Sequence, residues 1–162
     1  MKLVVLSLGS NIDRENNIAR AVEKIGCLFG DVDLSPVYET GSVGFEGPSF
    51  FNLVAGIRTD QPLLAVRDAM REIEAEAGRI RGRKSFDNRV LDIDVLLFGD
   101  QVLRPEYNIP RDEIDKYAFV LKPLADLYPD LTHPLTGRRF ADMWQDFDAG
   151  DQALEVVEFP LG

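Results

Sequence analysis

Apolar positions along this chain follow two rhythms, and the switches between them mark its elements. Lys2–Leu8 is almost continuously apolar and ends at Gly9-Ser10-Asn11, which predicts a first strand and a turn. Over Ile12–Phe29 the residues Ile18, Val22, Ile25 and Phe29 recur at spacings of 4-3-4, the period of an amphipathic helix. Val32–Tyr38 reads as a second strand, with Pro36 marking an edge or bulge. Glu39–Ser49 holds Gly41, Gly44, Gly47 and Pro48 and reads as a mobile loop. Phe50–Thr59 is a third strand. Gln61–Ala77 carries the stripe Leu63, Val66, Met70, Ile73 and Ala77, with Pro62 suited to its first turn and Gly78 to its stop. Arg89–Phe98 is a fourth strand ended by Gly99-Asp100, and Val102-Leu103 reads as a short return strand.

The resulting order, β-α-β-β-α-β, is the ferredoxin-like α+β arrangement: an antiparallel sheet with both helices on one face. Additional C-terminal elements are less regular. Arg111–Tyr117, Pro123–Leu127 and Phe140–Trp144 read as short helical turns, and Ala153–Phe159 as a last strand. No repeat, low-complexity tract or linker divides residues 1–162, which read as a single domain.

Composition narrows the function. The 162 residues are 45% hydrophobic and 28% charged, ordinary for a globular protein. No apolar run approaches the ~18 residues of a membrane span, and the N-terminus lacks a signal-peptide pattern, so no membrane partner is expected. A single cysteine, Cys27, cannot form an internal disulfide, which fits a cytoplasmic protein; its place in a helical pattern reads as a small buried hydrophobe. The one histidine, His133, reads as structural. A net charge of −10 argues against nucleic acid as a partner.

The chemistry concentrates in the fourth strand. Asp92 and Asp94 stand at i and i+2, so they share one strand face about 7 Å apart. Two like charges on a mostly apolar strand are costly unless something positive lies between them, and a hard divalent cation meets that need. Just upstream, residues 79–89 hold five of the chain's 18 basic residues. Carboxylates for a metal beside guanidiniums for phosphate suggest chemistry on a Mg-nucleotide. There is no Walker A loop and no G-x-G-x-x-G pattern.

The run Arg89-Val-Leu-Asp92-Ile-Asp94-Val-Leu-Leu-Phe-Gly99 resembles the signature of the 6-hydroxymethyl-7,8-dihydropterin pyrophosphokinase family. Gly9-Ser10-Asn11, Tyr38-Glu-Thr40, Phe51-Asn52, Gly78-Arg79-Ile-Arg81 and Phe119-Val-Leu-Lys-Pro123-Leu124 match family stretches in the same order, over roughly residues 1–135. The resemblance implies diphosphate transfer from ATP to the pterin alcohol in folate biosynthesis, yielding AMP, with two Mg²⁺ ions held by Asp92 and Asp94. It implies catalytic roles for Arg79, Arg81 and Arg89 besides the two aspartates. Nucleotide contacts fall to Glu74, Arg81, Arg89, Val95 and Arg111. Thr40, Val43, Phe50, Asn52 and Phe119 would hold the pterin. The implied partners are ATP and a reduced pterin only, and the chain is expected to be a monomer.

Some positions depart from the family pattern. Arg111 follows Pro110 where the family has histidine, Tyr117 replaces an arginine, Phe86 a tryptophan, and Gly41 a proline. These leave open a paralogue that binds pterin or nucleotide without turnover, or with an altered substrate. A ferredoxin-like RNA-binding domain is disfavoured by the net charge of −10 and the lack of an aromatic RNP run.

Overall fold

The computed structural model describes residues 1–40, 49–78 and 90–158. Six strands form one antiparallel sheet: β1 (Lys2–Ser10), β2 (Asp33–Leu34), β3 (Val37–Thr40), β4 (Phe50–Thr59), β5 (Asp92–Phe98) and β6 (Glu155–Val157). Their order is β5-β1-β4-β3-β6, with β2 also pairing β4. The helices are α1 (Arg14–Phe29), α2 (Leu63–Glu76), α3 (Glu113–Lys116), α4 (Ala118–Leu127) and α5 (Phe140–Gln145).

Period-2 alternation assigns each strand residue to a face. Val4, Leu6 and Leu8 of β1, with Phe51, Leu53, Ala55 and Ile57 of β4, face Ile18 and Ile25 of α1 and Val66, Met70 and Ile73 of α2. This is the expected ferredoxin-like layer, and both helical stripes bury as their spacing predicts. Cys27 departs from expectation. It is exposed, because it lies round the helix from the buried Ile25.

The opposite face of the sheet is covered as well. Val5, Val54 and Leu97 meet Ile114, Leu121 and Leu124, with Phe140 and Met143 of α5. A β-bulge between Val5 and Leu6 admits Leu96 to this second core. The segment read as isolated turns is thus a second helical layer; its main helix starts at Ala118, five residues before Pro123.

The expected second strand is broken in two at Ser35-Pro36. Ser35 N–H donates to the Val54 carbonyl (2.9 Å), and its hydroxyl accepts from Val54 N–H (2.9 Å) in place of a strand carbonyl. Thr40, read as loop, belongs to β3, while residues 41–48 of the expected mobile loop lie outside the described residues. Val102-Leu103 forms only an isolated bridge, Leu103 to Ile109. The final strand is shorter than expected and extends the sheet beside β3.

The second layer is fitted closely. A Cβ on Gly56 would lie 1.7 Å from Tyr128 Oη, which donates to Asp33 Oδ2 at 2.7 Å. Gly56→Ala should therefore displace Tyr128 and break that charged hydrogen bond, costing about 3 kcal/mol. A thermal melt lowered by roughly 6–12 °C is the expected reading.

His133, read as structural, is buried at 1% exposure. Its Nδ1 accepts Leu135 N–H at 3.1 Å, while Nε2 has no hydrogen-bond partner among the described residues and lies 4.0 Å from Asp115 Oδ1. Burial pushes its pKa below the ordinary 6.5, against the pull of Asp115 and with a smaller push from Arg104. The unfolded chain then binds this proton more readily than the folded one, so stability is lost as pH falls from about 6.5 through the lower folded value. Urea unfolding across that range should show a shallower pH slope in His133→Gln than in the parent.

Candidate functional site

Register assembles the site from three strands. Gly9 of β1 pairs with Asn52 of β4 on one side and Asp92 of β5 on the other, and Ser7 pairs with Asp94. Alternation places Asn52, Asp92 and Asp94 on the face that carries α4. Thr40 and Phe50, themselves a cross-strand pair, lie on the same face. The amide of Asn52 donates to Thr40 Oγ1 at 2.8 Å, and both side chains are buried. Tyr38, opposite Asn52 in the sheet, donates its hydroxyl to Asp126 of α4 and so pins that helix beside the row.

Gly9 is the gap in this row. A Cβ there would lie 2.9 Å from Asn52 Oδ1. Neighbouring strands stand about 4.8 Å apart, so bare backbone separates the amide from the Asp92 carboxylate. The turn after it is fastened by the Ser10 hydroxyl, which reaches the carbonyls of Ile12 and Val90.

Asp94 meets Arg111, whose Nη2 lies 3.7 Å from Asp94 Oδ2 and 2.8 Å from Glu113 Oε1. Arg111 N–H also bonds the Leu96 carbonyl (2.9 Å), fixing this segment along the outer edge of β5. Burial disfavours the Arg111 charge, but Asp94 and then Glu113 outweigh it and raise its pKa. The guanidinium is therefore a fixed cation.

A cleft of about 250 Å³ opens at this edge, lined by Asp94, Val95 and Arg111 together with Arg67 and Arg71 of α2 and Tyr107. Arg67 lies 5.4 Å over the Tyr107 ring. Sequence reading missed these three residues. The basic pair at i and i+4 on α2 was the available signal.

Glu74 does not lie on a solvated helix face. It is 1% exposed, and its Oε2 accepts Ile93 N–H at 2.8 Å, closing the open edge of β5. Phe119 lies in the first turn of α4 and packs on the second core, with one ring face covered by Tyr117 at 5.0 Å and 19°. The structure thus gathers Thr40, Phe50, Asn52, Asp92, Asp94, Arg111 and Phe119 on one side, with Val95 reaching the cleft round the edge. Val43, Arg79, Arg81 and Arg89 lie outside the described residues.

As for a metal, Asp92 and Asp94 offer hard anionic oxygens on one strand face. No group of three or more His, Cys, Asp or Glu placed to hold a metal ion occurs among the described residues. This donor set suits Mg²⁺, which keeps several waters and takes one or two carboxylates beside substrate phosphates.

Comparison with known proteins bears directly on this site. Residues 5–129 match the model of the 7,8-dihydro-6-hydroxymethylpterin-pyrophosphokinase (HPPK) family. The chain belongs to this family. A 2-amino-4-hydroxy-6-hydroxymethyldihydropteridine pyrophosphokinase of Pseudomonas aeruginosa is 38% identical over 145 residues, covering 86% of this chain and 88% of the relative. One from Aquifex aeolicus is 33% identical over 138 residues, covering 83% and 86%. Membership places the chain among the ATP-dependent, Mg-requiring pyrophosphokinases, transferases of folate biosynthesis. A crystal structure of HPPK-DHPS with substrates shares the fold, with TM-score 0.68 and 14% identity over 88% of this chain. This chain spans 43% of that one. The ferredoxin-like class expected from the order of elements is the fold observed. No helix among the described residues is long and apolar enough to cross a membrane.

Proposed function

We propose that this chain transfers the terminal diphosphate of ATP to the hydroxymethyl oxygen of 6-hydroxymethyl-7,8-dihydropterin, releasing AMP. The observation that carries the reading is the row Asn52–Gly9–Asp92: an amide, a bare backbone gap and a carboxylate on one sheet face. With one amide hydrogen committed to Thr40, Asn52 keeps Oδ1 and a second hydrogen for a ring edge. Phe50 and Phe119 flank the ring, each contact contributing on the order of 1 kcal/mol beyond area burial. Val43 joins them on the strength of the HPPK pattern.

Asp92 and Asp94 hold the cations, which we take to be two. Mg²⁺ held by these two carboxylates would supply neutralisation of phosphate charge. Arg111 offers a forked donor to phosphate beside Asp94. Arg79, Arg81 and Arg89 supply further positive charge, on the family pattern. The nucleotide lies along the cleft lined by Val95, with Glu74 supporting the strand beneath. The pterin oxygen bonds to the β-phosphorus as the bond from that phosphorus to the α-phosphate oxygen breaks, and the hydroxyl proton passes to water. Positioning and charge neutralisation carry most of the rate. We read residues 1–162 as one domain, acting as a cytoplasmic monomer.

Calorimetric titration of the pterin, in the presence of Mg²⁺ and a non-hydrolysable ATP analogue, checks the site. Binding at one pterin per chain is expected. Asn52→Ala should narrow the preference for the pterin over a flat ring lacking its amide-matching edge, since an unpaired buried polar group costs roughly 1–3 kcal/mol. An unchanged ratio removes Asn52 as the reader.

A further inference from the structure

Arg14, the first residue of α1, grips both strands that carry the pterin edge. Its Nη2 lies 2.9 Å from Glu39 Oε2. Its Nη1 donates to the Ser49 carbonyl at 2.9 Å and reaches the Ser49 hydroxyl at 2.7 Å. The guanidinium carbon stands 3.9 Å over the Phe51 ring centroid. Glu39 and Phe51 are cross-strand partners, so all of these contacts lie on the helix face of the sheet.

Each gripped residue immediately precedes one of the proposed pterin contacts: Glu39 before Thr40, Ser49 before Phe50, Phe51 before Asn52. Alternation turns those three contacts to the opposite face. Arg14 therefore touches none of them, yet fixes the backbone from which each projects. Its own helix follows the turn that leaves Gly9, so one side chain ties the gap in the row to the strands bearing the amide and the hydroxyl.

We propose that Arg14 is a positioning residue for pterin recognition. It acts from behind the sheet, setting the spacing of Thr40, Phe50 and Asn52 relative to Gly9. The inference rests on the pyrophosphokinase reading above. A planar fork meeting a carboxylate, a carbonyl and a hydroxyl while lying on a ring is something lysine cannot reproduce. The contribution belongs to pterin binding, because the Asp92–Asp94 edge and the Val95 cleft are formed by β5, α2 and Arg111, none of which Arg14 contacts in the interactions above.

Steady-state kinetics of Arg14→Lys and Glu39→Gln, with pterin and ATP varied separately and melting temperatures measured, test it. Arg14→Lys should raise KM for pterin about tenfold, with KM for ATP and kcat within about twofold; Glu39→Gln should raise the pterin KM by a smaller factor. A variant whose defect is merely structural would shift both KM values or lose active enzyme. An unchanged pterin KM in both variants, or equal rises for pterin and ATP, overturns the positioning role while parental AMP formation leaves the activity standing. Absence of AMP formation by the parent overturns the activity and this inference together. Should Arg14→Lys melt early, Glu39→Gln carries the comparison.

Discussion

Asp92→Ala and Asp94→Ala should each lower kcat by at least about a thousandfold, or ~4 kcal/mol of transition-state stabilisation, with melting temperatures within about 4 °C of the parent. The two carboxylates share a face with Asn52 and serve no core packing on it: both are partly exposed. Their loss removes the anionic oxygens proposed to hold Mg²⁺, and on that proposal charge neutralisation at the phosphates carries most of the rate. Asp94→Ala also removes the 3.7 Å approach to Arg111, a partly exposed pair worth at most about 1 kcal/mol of stability. Glu113 remains on that guanidinium at 2.8 Å. Kinetics at saturating Mg²⁺ beside a thermal melt check both halves; near-normal turnover in either variant removes the metal assignment.

Gly9→Ala should weaken pterin binding about tenfold to a hundredfold, corresponding to ~1.4–2.7 kcal/mol. The added methyl would sit 2.9 Å from Asn52 Oδ1. Asn52 is only 8% exposed and bonded to Thr40, so it has little room to yield without breaking the 2.8 Å hydrogen bond. The methyl also fills the bare backbone between the amide and Asp92. ATP affinity should stay close to the parent value, because the Val95 cleft lies round the edge of β5. Titration of each ligand separately gives the comparison, and an unaltered pterin affinity shows that the gap is not used.

Local periodicity made part of this structure readable from the chain. The stripes of α1 and α2 announce themselves because each helix is long enough, at 16 and 14 residues, to repeat its pattern. The shared face of Asp92 and Asp94 needs only the two-residue period of a strand. The second helical layer was read as isolated turns for a physical reason. α3, α4 and α5 have 4, 10 and 6 residues, and α4 buries Ala118, Val120, Leu121, Pro123, Leu124 and Ala125, leaving no polar stripe to contrast with. Cys27 was misplaced because only about half a helical turn separates it from the buried Ile25. Within the site, Asn52 and Asp92 stand forty positions apart in the chain, and only the register of β1 against both β4 and β5 brings them to either side of Gly9. Glu74, assigned to the nucleotide by the resemblance, also holds the β5 edge through Ile93 N–H, a pairing no helical pattern encodes. The clasp of Arg14 on Glu39 and Ser49 is invisible for the same reason: it joins segments through space, not through any local repeat.

The departures from the HPPK pattern at Arg111 and Tyr117 have visible settings. Arg111 keeps a positive charge against Asp94, whereas Tyr117 stacks on Phe119 and extends the aromatic wall where the family carries an arginine. The most direct measurement is the phosphorus NMR spectrum of ATP and 6-hydroxymethyl-7,8-dihydropterin incubated with the protein and Mg²⁺. The account predicts AMP and a pterin diphosphate appearing one for one, both abolished in Asp92→Ala. Persistence of ATP in the presence of bound pterin, or release of ADP in place of AMP, would contradict it.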